Sequence, residues 1–220
     1  MKIKTYVLSI LFSMMATAAF AGAKAGISVT GMMFDSAKGT EISKFNGNDT
    51  TPIESKTQEV GAAFGSVFVE YSIDMLNGLS VGLDYQISTM EGDTVTNTRT
   101  TDSGAALNEN KFSVDVENHL TAYMLYPLGG EGAFIKLGAS QADVNVNENI
   151  ASSTSYSDET LYGGHVSLGF EKDLDAFFVR GEAGYSEYGT VTSKSSSKNT
   201  TVKAQLNDGV HARISIGKSF

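Results

Sequence analysis

Residues 79–88 read Leu79-Ser80-Val81-Gly82-Leu83-Asp84-Tyr85-Gln86-Ile87-Ser88, an unbroken alternation of apolar and polar side chains. Successive side chains of a strand point to opposite faces, so this period of two describes a strand with one apolar and one polar face. An amphipathic helix would space its apolar residues three and four apart. The same rhythm appears in Val67, Val69, Tyr71 and Ile73, and again in Ile135, Leu137 and Ala139. It recurs from Tyr162 to Phe170, from Phe177 to Tyr185 and from Val210 to Ile216. Val116 through Leu120, Ala122, Met124 and Tyr126 carry it with one polar interruption at Asn118. Ile27, Val29, Gly31 and Met33 open the series, with Met32 and Phe34 blurring the phase. Eight strands result, each of about 9–13 residues, enough to cross a bilayer at a tilt of ~45°.

The connections alternate strictly. Asp74–Gly78, Pro127–Gly132 and Lys172–Asp175 are short and hold Asn-Gly, Gly-Gly or Asp. Residues 35–58, 89–110, 145–159 and 189–208 are long and rich in Ser, Thr, Asn and Gly. An up-and-down antiparallel barrel has this order, with short turns at one end and four long loops at the other. Pro52 lies in a long connection and Pro127 opens a short turn, so neither interrupts a ladder. The low-complexity stretch Thr190–Thr201 reads as a mobile loop.

Composition bounds the function. The 220 residues hold 16 Lys+Arg against 25 Asp+Glu, a net charge of −9, which argues against nucleic acid as a partner. The absence of Cys removes disulfide scaffolds, zinc ribbons and thiol catalysis. Mean hydropathy is only −0.09. A transmembrane barrel is compatible with that value, because alternation dilutes its apolar residues. Residues 1–21 read as a secretory signal peptide: Lys2 and Lys4, an apolar run from Tyr6 to Phe20, and Ala19-Phe20-Ala21 as the small-x-small cleavage pattern. Residues 22–220 are then one barrel domain.

Alternation leaves open which face is outside, since a soluble ligand-binding barrel turns its apolar face inward. Two features favour the membrane arrangement. The polar faces are rich in Gly, Ser and Thr with charges of both signs, which suits the narrow lumen of eight strands. Aromatics of the apolar face gather at its ends, with Tyr71, Tyr126, Phe170, Phe177 and Phe220 near the short turns and Tyr162 and Tyr185 near the long loops. Tyr85 sits mid-strand and fits neither girdle.

The last segment supplies a third feature. Val210, Ala212, Ile214, Ile216 and Phe220 resemble the closing strand of the small bacterial outer-membrane β-barrel family. Lys218 departs from that pattern, standing where the family has an apolar or aromatic residue. The layout is most similar to the OmpA transmembrane domain, OmpX and the neisserial opacity proteins. The resemblance implies an eight-stranded transmembrane barrel with periplasmic turns and extracellular loops in the bacterial outer membrane. It implies contact with outer-membrane lipid and lipopolysaccharide, and a barrel-insertion machinery that reads Phe220.

With the apolar face outward, Glu70, Asp84, Glu117, Lys136, Arg180, Glu182 and Arg213 point into the lumen, together with His119, His165 and His211. Buried charges must be paired, so a salt-bridged plug is the expectation, with Glu182 and Arg213 at similar heights on adjacent strands. The functional alternative is a narrow gated pore. No cofactor or metal set is expected, because the three histidines lie on alternate strands that do not converge on one ion. His165-Val166-Ser167 is the sharpest catalytic candidate, with Glu182 as orienting acid. It resembles the His-x-Ser-Asn of outer-membrane lipid A deacylases, but Leu168 replaces the Asn and the pair points away from lipid. No catalytic residue is therefore assigned. The long loops suit adhesion, shielding or a host-surface ligand, and Lys194, Lys198 and Lys203 make the last one locally basic.

Overall fold

The computed structural model describes residues 22–45, 48–49, 53–54, 58–91, 95–99, 108–129, 131–149, 155–196 and 200–220. The proposed signal segment, Pro52 and Lys198 lie outside them. Eight antiparallel strands form the wall: β1 (Ala23–Phe45), β2 (Gln58–Ile73), β3 (Leu79–Gln86), β4 (Asn108–Pro127), β5 (Ala133–Asn149), β6 (Glu159–Leu174), β7 (Phe177–Tyr188) and β8 (Thr200–Ser219). Each pairs with the next. β1 also pairs with β8 from Lys24–Ser219 to Ser43–Thr200, which completes the ring. Left-handed backbone at Asn77 (φ 55°) and Gly78 (φ 78°) reverses the chain between β2 and β3. We call the short-turn end the lower end.

The strands run further than the alternation indicates. β1 continues to Phe45 and β8 begins at Thr200, so much of 35–58 and 189–208 is ladder rather than loop. Thr190–Lys194, expected in a mobile loop, is a strand paired with Thr201–Gln205. Further short strands, Asn48–Asp49 and Ile53–Glu54, line upper β1, while Met90–Glu91 and Val95–Arg99 line upper β4. The cause is composition: Thr, Val and Ile favour extended backbone even where the pattern is polar on both faces.

The apolar face points outward, with Val29 65% and Ile214 73% exposed. The inner face buries Ser28, Ser66, Asp84, Lys136, Arg180, Glu182 and Ser215. It also buries large rings that the polar pattern concealed, among them Phe68, Phe134 and Phe178. Each of these rings faces a glycine across the ladder: Phe68 opposite Gly26, Phe134 opposite Gly169, Phe178 opposite Gly217. A β-carbon on those glycines would lie 2.6, 2.2 and 2.5 Å from the ring, so the glycines make the space in which the rings lie. Near the upper end the lumen becomes apolar. Met32, Phe34, Phe64, Val144, Leu161 and Val191 pack together there, which explains the blurred phase of Met32 and Phe34.

One irregularity re-aims β4. Between Glu117 and Leu120 it carries one residue more than β5 opposite, with Asn118 in left-handed backbone (φ 53°). Asn is among the few side chains that tolerate this conformation. The bulge reverses the phase above it, so Val116 packs toward the inner cluster while Glu117 lies opposite Asp143 on the outer face. Glu117 accepts a hydrogen bond from Thr89 at 3.2 Å and is not a lumen charge, contrary to the sequence reading. The same bulge accounts for Tyr85, only 3% exposed: its hydroxyl donates to Asn118 Oδ1 at 2.9 Å, and Asn118 donates to Asp143 at 2.7 Å.

Candidate functional site

The lumen holds its polar side chains in levels. At the lowest level Arg180 on β7 spreads its guanidinium over Glu70 of β2, with Nη1–Oε2 3.0 Å and Nη2–Oε1 3.1 Å. Its Nε donates to Glu171 Oε2 at 2.9 Å, and Lys24 of β1 also bonds Glu171. Tyr123 donates its hydroxyl to Glu70 at 3.1 Å. The guanidinium carbon sits 5.3 Å from the ring centroids of Phe134 and Phe178 and 5.6 Å from that of Phe68. Four strands, β2, β5, β6 and β7, are thereby tied across the bore by one forked cation, whose planar donors match two carboxylates and whose faces stack on rings.

The next level up is built around Arg213 and Lys136. Arg213 bonds Asp84 and Ser28, and its Nε lies 3.2 Å from Glu182 Oε1. Lys136 donates to the same Glu182 oxygen at 2.9 Å and stands 4.4 Å above the Tyr123 ring. Ser66 donates to Asp84 at 3.1 Å, and Ser167 to Glu182 at 3.3 Å. Glu182 and Arg213 are direct cross-strand partners. Of the seven charges read from sequence, six meet in these two levels and Glu117 does not. Lys24 and Glu171 were missed. Both sit on the polar phase of their strands near the lower rim, and that phase was the available signal.

Above the ion pairs come the histidines. His119 Nε2 is 3.0 Å from the Tyr188 hydroxyl, Ser186 Oγ is 2.9 Å from His211 Nδ1, and the His165 and His211 rings meet edge to face at 5.8 Å. A pocket of about 30 Å³ is lined jointly by this level and by the ion pairs Lys136–Glu182 and Arg213–Asp84. Thr30, His119 and His165 line it, and each has a buried polar atom without a protein partner. The space is polar and large enough for bridging water. Among the described residues no group of three or more acids and histidines is placed to hold a metal ion. The catalytic geometry is also not assembled: Ser167 donates to Glu182 rather than to His165, and that carboxylate is already engaged by Lys136 and Arg213.

The shared carboxylate makes a testable coupling. Arg213→Glu buries a like charge beside Glu182 and destabilises the barrel, and adding Glu182→Arg recovers part of the loss. A coupling energy of about 1–3 kcal/mol is expected from the double-mutant cycle in urea unfolding. A cycle that closes at zero would remove this pair as a determinant of stability.

Among solved structures, the fold is similar to the outer membrane protein OprG from Pseudomonas aeruginosa, with a TM-score of 0.50 and 14% identity over 91% of this chain and 96% of that one. The chain has the fold of an outer-membrane β-barrel. Lower similarity extends to the outer membrane protease OmpT from Escherichia coli, with TM-score 0.47 and 10% identity over 90% of this chain and 96% of that one. It extends also to Ail, the attachment invasion locus protein of Yersinia pestis, solved with the heparin analogue sucrose octasulfate. There the TM-score is 0.34 and identity 12%, over 90% of this chain and 99% of that one. No family model matches the sequence, and no curated protein matches it.

Proposed function

We propose that this barrel is exported by residues 1–21, inserts into the bacterial outer membrane, and acts there as a surface-interaction protein whose lumen does not conduct. The observation that carries this reading is the filled bore. Two levels of ion pairs lie beneath an apolar cluster, so an ion entering from either end must break buried pairs or enter a dry constriction. The exposed apolar outer wall supports the membrane placement. The upper strands support the surface role. β8 extends ten residues above Val210, which pairs with the upper girdle residue Tyr185, and so raises a rim roughly 25 Å beyond that girdle. Such a rim presents the connecting segments to lipopolysaccharide, matrix or host surfaces.

In planar bilayers the purified protein is expected to give no unitary current steps. Steady single-channel openings from the unmodified chain would replace this reading with a pore. Replacing residues 100–107, which join the paired ends Arg99 and Asn108, with Asn-Gly should abolish cell or matrix binding while leaving the folded barrel intact. An altered lipid A mass on expression would instead point to an enzyme.

Phe220 is proposed as the element read during insertion. Its amide bonds Ala23 O at 2.9 Å and its ring stands on the outer face. Deleting it removes one partly buried ring, a loss of about 1–3 kcal/mol at most, so refolding in detergent stays near normal. Surface-exposed protein in cells should fall sharply. Wild-type surface levels of the truncated chain would discard this role.

A further inference from the structure

The outer wall is not uniformly convex. A shallow apolar depression of about 890 Å³ crosses β1 to β5 in the lower half of the barrel. Its floor is a row of side chains at one level: Ala25 opposite Val69, Val69 opposite Leu83, Leu83 opposite Ala122, and Ala122 opposite Ala139. Three of the five are alanines. The row below is taller, with Tyr71, Met124 and Leu137 forming a bank. The ring of Phe220 closes the β1 end. Four interstrand steps of about 4.8 Å make the floor roughly 19 Å long, comparable to one extended acyl chain of a membrane lipid.

The same end of the groove carries a charge. Lys218 stands directly opposite Ala25 across the β1–β8 ladder, exposed on the outer face. Its Nζ lies 5.5 Å from the Phe220 centroid. This lysine is the residue that breaks the apolar pattern of the closing strand. A cation at the lower membrane boundary, beside an apolar channel of lipid length, pairs with a phosphate whose acyl chain runs along the channel.

We propose that the groove is a binding site for one glycerophospholipid, with an acyl chain seated on the Ala25–Ala139 row and the phosphate paired with Lys218. This rests on the membrane placement proposed above and adds to it a defined lipid site. Filling the channel with bulk and removing the charge act on separate parts of such a ligand, so the two contributions can be read independently.

The test is native mass spectrometry of the full barrel, released from detergent after incubation with dioleoylphosphatidylglycerol or with dioleoylglycerol, which has the same chains and no phosphate. The wild-type barrel should retain one phosphatidylglycerol. Ala122→Phe combined with Ala139→Phe should lower retention of both probes by about tenfold or more. Lys218→Gln should lower phosphatidylglycerol retention by about tenfold and leave dioleoylglycerol unchanged. Val29→Phe, on the outer face away from the groove, should change neither. Equal retention by the wild-type and filled barrels would overturn the proposal, as would an indifferent Lys218→Gln or a mass showing a second copy of the chain in place of lipid. If the filled variant does not fold, judged by heat-modifiable migration, Lys218→Gln alone decides. A wild-type chain that will not fold into phosphatidylcholine vesicles would defeat the membrane placement and this site together, whereas one that folds and holds no lipid defeats the site alone.

Discussion

Arg180→Met lowers the stability of the barrel by about 3–5 kcal/mol, because it leaves the fully buried Glu70 without its cation, while Glu171 keeps Lys24. The side chains of Arg180 and Glu70 are 2% and 0% exposed, so solvent cannot replace the lost partner. Loss of stacking on Phe68, Phe134 and Phe178 adds to the effect. Arg180→Lys should recover only part of it, since an ammonium cannot span both carboxylates. Adding Glu70→Gln to Arg180→Met should recover more, by removing the stranded charge. Urea unfolding in lipid vesicles provides the measurement. A single substitution with no effect would mean that water reaches this level of the bore.

Ile214→Arg is the second large effect, and it tests the surroundings rather than the lumen. Ile214 is 73% exposed and lies midway between Val210, level with the upper girdle residue Tyr185, and Lys218 at the lower boundary. In water, such an exposed substitution would shift stability by no more than about 0.5 kcal/mol. At the midplane of a bilayer it costs about 2–4 kcal/mol. Gln205→Arg, high on the same strand above the girdle, should be near neutral in either solvent. Equal, small effects at both positions during folding into vesicles would overturn the membrane placement.

Period-two patterning made the number and order of the strands legible from the chain, because a half-buried strand must repeat every second residue, and the aromatics at the ends of the apolar face made its outward direction legible. It could not reveal where that phase slips. The extra residue at Asn118 is visible only as a polar interruption, yet it decides that Glu117 leaves the lumen and Val116 enters it. Nor did a polar inner face announce the rings it contains. Phe68 and Phe178 were readable only as apolar residues out of phase, and the glycines that accommodate them lie on other strands. Ladder lengths at the upper end exceed what the pattern indicates because Ser and Thr serve loops and strands alike, and paired Thr is at ease in a strand. The Glu182–Arg213 contact was accessible because it needs only adjacent strands and equal height, but the sharing of Glu182 with Lys136 required the curvature of the wall.

The ladder that completes the ring joins the first strand to the last, and it is among the longest in the molecule. Residues paired there are separated by most of the chain, so the ends must find each other after the intervening hairpins have formed. Loop-closure entropy opposes that meeting until many pairs reward it, which makes final closure the slow step and ties it to whatever holds the two edges near one another. Once the pairs from Lys24–Ser219 to Ser43–Thr200 are made, opening must sever them within a cylinder that the lumen ion pairs also brace. The persistence of the folded protein is then a matter of unfolding rate more than of equilibrium free energy.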